Sequence, residues 1–320
     1  MNVGCRADVL SRAAAVAVIF AACQPNYARD REIRLNALVW KGSHNSYHVE
    51  SENAPTELAY THAPLATQLE DQGVRQFELD IYYEGDHFDV RHIRIFDERT
   101  TCKTLAACLA AISAWSKGHR THAPIVIMIE LKDFGDRVPL ADYFALLDAT
   151  VTDSLGADRL ITQALVRGDA ATLADALAAR GWPTLEETRG KVLVFLLADP
   201  AFAAFYTSDP ARPLFIAAAP GAPYAAIASV DSPRDEAKIA AALAANMIVR
   251  TRADDPAEPE DREARGAAAL ASGAQIISTD YPAPRDGYVL AWPKDAIVDC
   301  HKTLAPKDCR PRDIEAHEVP

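Results

Sequence analysis

A chain of 320 residues, 49% of them apolar, can hold two average domains or one α/β barrel, and no shift in composition marks a boundary between two. Its formal net charge of -12 argues against a nucleic-acid binder and against unspecific adhesion to an anionic membrane, since both need a basic surface.

The first residues carry Arg6 and Arg12, followed by an unbroken apolar run from Ala13 to Cys23. Eleven apolar residues match the core of an export signal and fall short of a membrane-spanning helix. Residues 1–23 therefore read as a signal and 33–320 as one domain, which predicts a periplasmic, secreted or envelope-anchored bacterial protein. The triplet Ala21-Ala22-Cys23 also resembles a bacterial lipoprotein processing site, which would leave Cys23 lipidated. Six cysteines are present; Cys5 and Cys23 fall in this segment, and the rest form two close pairs, Cys102 with Cys108 and Cys300 with Cys309. In an exported chain such local pairs predict two disulfides, and no Cys/His spacing fits zinc.

The run Leu35 to Trp40 reads as a first strand that must turn at Gly42 and Ser43, so His44 and Asn45 stand at its exit. A second strand runs from Val74 to Ile81, where alternation puts Glu78 and Asp80 on one face and Phe77, Leu79 and Ile81 on the other. Adjacent carboxylates repel unless they share a cation or a proton, so a divalent metal is expected there. Phe88 to His92 predicts a short strand in a hairpin, with Phe88, Val90 and His92 on one face. Thr104 to Lys117 has helical spacing, and Pro124 to Lys132 is an apolar run of the kind buried on both faces of a parallel sheet. Glu130 and Lys132 share a face at its end.

Helices follow at Leu140–Leu155, Ala170–Ala179, Asp235–Ala245 and Arg265–Ala271, and strands at Lys191–Leu197, Leu214–Ala218, Met247–Arg252 and Ala274–Ser278, the last in the chain. The acidic run Asp254 to Glu263 reads as a solvated loop. About eight strand–helix units predict a parallel sheet closed into a single (β/α)8 TIM-type barrel, distorted or regular. In such a barrel the C-terminal strand ends converge on one mouth, which would gather His44, Asn45, Glu78, Asp80, Glu130, Lys132, Arg250, Arg252 and Asp280.

Asn45, Glu78, Asp80 and Glu130 offer one amide oxygen and three carboxylates, a donor set for a hard cation; calcium is favoured over magnesium because it tolerates irregular oxygen shells. Two histidines beside it would allow one imidazole to take a proton and the other to give one. His48, His62, His87, His119, His122, His301 and His317 belong to no such pattern and receive no role.

The ordered set Gly42-Ser43-His44-Asn45-Ser46-Tyr47, Phe77-Glu78-Leu79-Asp80, Val90-Arg91-His92, Ile129-Glu130-Leu131-Lys132 and Trp182 to Leu193 resembles the calcium-dependent phosphatidylinositol-specific phospholipase C family, from about Leu35 to Pro282. The resemblance implies a TIM-type barrel that cleaves a phosphodiester by attack of a neighbouring inositol hydroxyl, through a cyclic phosphate. It implies His44 and His92 as the catalytic pair, with His92 as acid and phosphate partner, and Asn45, Glu78, Asp80 and Glu130 as calcium ligands. A carboxylate such as Glu130 would be the base, and Lys132 and Arg252 would contact the phosphate or headgroup. The expected partner is a phosphodiester or phospholipid, with membrane contact only through the substrate or a lipid anchor, and the chain is expected to act as a monomer. Two other readings stay open: a glycerophosphodiester phosphodiesterase, and a non-catalytic envelope protein that binds a phosphorylated ligand.

Overall fold

The structure, a computed structural model, describes residues 27, 29–52 and 54–316. The predicted signal, Cys5, the lipidation of Cys23 and His317 therefore lie outside the described residues. Among the described residues no helix is long and apolar enough to cross a membrane.

Eleven strands form one sheet: β1 (Leu38–Ser43), β2 (Gln76–Tyr83), β3 (Phe88–Val90), β4 (Ile125–Leu131), β5 (Leu160–Ile161), β6 (Val192–Leu197), β7 (Phe215–Ile216), β8 (Ile227–Ser229), β9 (Ile248–Arg252), β10 (Ile276–Thr279) and β11 (Val298–Cys300). The parallel order is β5-β6-β4-β2-β1-β10-β9-β8, with β7 also paired to β6. A single parallel bridge between Ala217 and Ile227 joins the β7 edge to β8, which closes the ring. The result is the expected TIM-type barrel in distorted form.

Two local departures account for the distortion. β2 meets β1 only at Gly42 and Gln76, and below that point the antiparallel β11 pairs with β1 from Leu38 to Trp40. Gly42 leaves room there for the buried Gln76 side chain, since an added Cβ would lie 1.8 Å from its Oε1 and would have to displace it. β11 also corrects the expectation that Ala274–Ser278 ends the strand sequence; three residues ending in a cysteine carry too little periodicity to register as a strand. The second departure is that no helix separates β7 from β8, so the alternation fails once. β8 itself went unpredicted for the same reason as β11.

Alternation sorts the core into two layers. Phe77, Leu79, Ile81, Ile127, Ile129 and Leu131 face outward and pack with Leu105, Leu109, Ile112, Tyr143 and Phe144 of the surrounding helices. Leu38, Trp40, Val126, Met128, Leu193, Phe195, Ile248 and Ile276 fill the lower barrel interior. Burying side chains of this size stabilises by roughly 1.5–3 kcal/mol each. The apolar plug is a dry floor, so the polar residues one or two positions further along the same strands are raised to the mouth.

The helix Leu105–Gly118 begins at Thr104, whose Oγ1 accepts from Ala107 N–H at 3.2 Å, and Leu140–Leu155 matches its predicted span. The helix before β10 starts at Arg262, earlier than predicted. Both predicted disulfides are present, Cys102–Cys108 and Cys300–Cys309.

Candidate active site at the barrel mouth

His44 and Asn45 follow the last residue of β1. Asn45 takes a left-handed backbone (φ 44), a conformation asparagine tolerates better than most residues, and this turns the chain across the mouth. The turn is pinned to β2, since Ser46 N–H donates to the Glu78 carbonyl at 3.1 Å and Ser46 Oγ accepts from Glu78 N–H at 2.8 Å. Asn45 is buried, with its side-chain amide 3.4 Å from the Tyr60 hydroxyl.

Glu78 and Asp80 point inward from β2, and register pairs Asp80 with Glu130 of β4. Carboxylate oxygens of Glu78, Asp80 and Glu130 all lie within 4.8 Å of one another. Basic groups only partly compensate them. Lys132 Nζ lies 2.9 Å from both Asp80 Oδ2 and Glu130 Oε1, and Arg250 donates to Glu78 Oε2 at 2.8 Å. Asp80 Oδ1 is buried and has no hydrogen-bond partner. Burial, reinforced by Glu130 and Glu78, outweighs Lys132 and pushes the Asp80 carboxyl up to about 7. A crowded oxygen cluster with an unpartnered buried oxygen fits a hard divalent cation.

His44 stands beside this cluster. Asp280, at the exit of β10, holds its Nδ1 at 2.8 Å, and Nε2 is 3.5 Å from Glu78 Oε1. Burial alone would lower the His44 pKa, but Asp280 and Glu78 outweigh it and raise it. Asp280 would likewise rise on burial; His44 and Arg252 instead hold it well below the usual carboxylate range. Arg252 donates to Asp280 Oδ2 at 3.2 Å, so one carboxylate joins the ends of β1, β9 and β10.

Asp254 corrects the solvated-loop expectation for its end of that run. It is fully buried, accepts Asp280 N–H at 2.7 Å and the Thr279 hydroxyl, and burial with the Asp280 charge pushes it up to about 7. Its acidic neighbours marked the stretch as exposed, while the backbone of β10 reaches in to satisfy this one member.

His92 also departs from expectation. β3 ends at Val90, so alternation does not carry Phe88 and Val90's face on to His92. Phe88 and Val90 pack in the outer core, whereas the His92 ring is held by Asp97 Oδ2, 3.0 Å from Nδ1. Burial lowers the His92 pKa despite Asp97, and the charges of Lys132 and His44 act in the same direction. His92 thus lies in the electrostatic reach of the same mouth.

Several residues at the site carried no sequence signal. His62 donates to the His44 carbonyl at 2.9 Å, and burial lowers its pKa to about 4. His48 and Asp97 are fully packed behind His92. Arg250 is consumed by Glu78 and Asp231 and is 2% exposed, which leaves Arg252 as the more accessible arginine of β9. Arg250, Arg252 and Asp280 are expected at the mouth from the sequence, as polar residues at strand ends, whereas His48, His62 and Asp97 carry no such signal.

A parallel barrel with histidines, a carboxylate cluster and basic groups at the C-terminal strand ends is a TIM-type scaffold. The chain belongs to the family described as phosphoinositide phospholipase C, Ca2+-dependent, whose profile matches residues 33–89 and 83–302. It is a phospholipase C-like phosphodiesterase. Among solved structures it is similar to the calcium-dependent phosphoinositol-specific phospholipase C of a Pseudomonas species, at 20% identity and a TM-score of 0.56 over 81% of this chain and 95% of that one. It is also similar to the Ca-dependent phosphatidylinositol-specific phospholipase C of Streptomyces antibioticus, at 21% identity and a TM-score of 0.60 over 78% and 95%. At these identities the structural likeness establishes the fold. No curated protein matches the chain.

Proposed function

We propose that this chain is a calcium-dependent phosphodiesterase that cleaves phosphatidylinositol or a related inositol diester, by attack of a neighbouring hydroxyl to give a cyclic phosphate. The observation that carries the reading is that His44, His92 and the Glu78, Asp80, Glu130 cluster share one mouth. Asn45, Glu78, Asp80 and Glu130 would hold the ion. When bound, calcium lowers the pKa of the attacking hydroxyl and offsets phosphate charge.

The remaining work falls to side chains. His44, whose pKa Asp280 and Glu78 raise against the effect of burial, offers an N–H to a phosphate oxygen. Glu130, with 29% of its side chain exposed, is the carboxylate accessible to an attacking hydroxyl and serves as base. His92 gives the leaving alkoxide its proton, and burial makes its protonated ring a readier donor. Lys132 and Arg252 bind the phosphate or headgroup.

A lipid-borne substrate is favoured over a soluble diester by the surface beside the mouth. Ile95 and Phe96 are 84% and 80% exposed on the turn that carries His92, and Phe134 is 55% exposed after β4. Next to them a cleft of about 380 Å³ is lined by Tyr82, Arg94, Lys132, Asp133, Phe134 and Arg137, where three cations outnumber the one carboxylate beside aromatic rings, a combination suited to an anionic headgroup at a lipid surface. Two disulfides support export of the chain.

The test is hydrolysis of phosphatidylinositol vesicles with calcium and with chelator, the products resolved by phosphorus NMR. Calcium-dependent release of a cyclic inositol phosphate, lost on changing His44 or His92 to alanine, is expected. Absence of turnover with calcium present, or full activity of the His44→Ala, His92→Ala double variant, would refute it.

A further inference from the structure

His92 leaves β3 on a turn closed by two backbone hydrogen bonds, Ile93 N–H to the Asp97 carbonyl at 3.1 Å and Asp97 N–H to the Ile93 carbonyl at 2.9 Å. The Asp97 side chain folds back under the turn and is 1% exposed. A buried carboxylate needs several donors, and three groups able to donate lie within reach of Asp97. Oδ2 is 3.0 Å from His92 Nδ1, His48 Nε2 is 2.8 Å from Oδ2 and 3.0 Å from Oδ1, and Ser51 Oγ donates to Oδ1 at 3.2 Å.

His48 is itself immobilised. Its Nδ1 is 2.9 Å from the Tyr60 carbonyl oxygen, its ring lies 4.2 Å from that of Tyr60, and its N–H donates to the Asn45 carbonyl at 2.9 Å. Both ring nitrogens of His48 therefore face acceptors. Asp97 accordingly ties the loop after β1 to the turn after β3, the two segments that carry the histidines of the mouth. His48 and Ser51 both lie within hydrogen-bond distance of Asp97, so His92 is one of three side chains that share this carboxylate. It is the one partner at the mouth, a ring with 21% of its side chain exposed.

We propose that Asp97 and His48 are positioning residues for His92. Asp97 accepts the Nδ1–H of His92, which holds that hydrogen in place and fixes the ring plane, so that the proton given up is the one on Nε2 and the neutral ring left behind carries its hydrogen on Nδ1; His48 fixes Asp97. The inference rests on the proposed part of His92 in catalysis.

Asp97→Asn, His92→Ala and their combination test it, in the full chain with phosphatidylinositol vesicles. Asp97→Asn is expected to lower kcat about 10- to 100-fold, the weight of one charge-assisted hydrogen bond, with KM within about twofold. In the His92→Ala background the same change is expected to add nothing, because coupled residues are not additive. Nitrogen-15 NMR of the histidine rings at pH 8 gives a readout independent of turnover: His92 carries its hydrogen on Nδ1 in the native chain and loses that preference in Asp97→Asn. Ser51→Ala, which loosens Asp97 with no contact to His92, and His48→Asn, which also removes the edge-to-face ring beside His92, are expected to shift the tautomer in the same sense by less. Equal kcat losses from Asp97→Asn in both backgrounds, or an unchanged His92 tautomer, would overturn the proposal. An active His92→Ala variant would instead sink the catalytic reading of His92, and the tautomer measurement would still decide whether Asp97 sets the ring.

Discussion

Replacing Asp80 by asparagine removes one of three carboxylates whose oxygens lie within 4.8 Å of one another while keeping the side-chain shape. At an effective dielectric constant of about 20, two like charges at 4.8 Å repel by about 3.5 kcal/mol, and Asp80 faces two of them. The same substitution gives up the attraction of Lys132 at 2.9 Å, about 5.7 kcal/mol on the same scale, though Lys132 keeps Glu130. The balance leaves the metal-free variant more stable than the native chain by about 1 kcal/mol, and more where desolvation of the buried charge counts. With calcium the order reverses. A site filled at a hundred times its dissociation constant gains about 2.7 kcal/mol, which the native chain collects and Asp80→Asn does not. Urea unfolding at pH 8, followed by circular dichroism with chelator and with calcium, reads both halves. A native chain indifferent to calcium, or an Asp80→Asn variant stabilised by calcium as much as the native one, would refute the reasoning.

Three further outcomes follow from other parts of the structure. Asp280→Asn removes the carboxylate 2.8 Å from His44 Nδ1 and is expected to lower kcat about 10- to 100-fold on phosphatidylinositol, measured beside a thermal melt; native turnover would show that His44 needs no such support. His122 is buried with a pKa lowered to about 4, below its unfolded value near 6.5, so the unfolded chain binds the proton first. Stability should therefore fall by about 3 kcal/mol between pH 6.5 and 4 from this residue, and His122→Gln should flatten that part of a urea-midpoint profile; an unchanged slope would exclude it. Gly42→Ala puts a Cβ 1.8 Å from the buried Gln76 Oε1 and is expected to cost about 1–3 kcal/mol by the same unfolding assay, whereas a neutral result would mean that the β1–β2 junction gives way freely.

Local pattern alone determined much of this molecule. The apolar runs that became β4 and β6, and the alternation that set Glu78 and Asp80 apart from Phe77 and Leu79, are properties of neighbouring residues, and a strand's period of two is rigid enough to read without a structure. The strand that delivers His44 and Asn45 was legible but shifted: Leu35–Ala37 form a short 3-10 helix, Gly42 and Ser43 stay within β1, and the turn expected at them comes at residues 44–47. The close spacing of Cys102 with Cys108 and of Cys300 with Cys309 likewise announced its own pairing. Tertiary structure decided what those groups meet. Asp280 finds His44 across 236 residues, Arg250 finds Glu78 across 172, and Asp97 is shared by His92 and His48 through a turn with no repeating pattern. β8 and β11 exist because neighbouring strands supply their hydrogen bonds, three residues being too few to carry a period. Asp254 is buried amid acidic neighbours because the ladder of β10 brings a backbone N–H to it. Side-chain periodicity lies in the chain, whereas the partner of a buried charge is set by barrel closure, which brings together strand ends that are far apart in sequence.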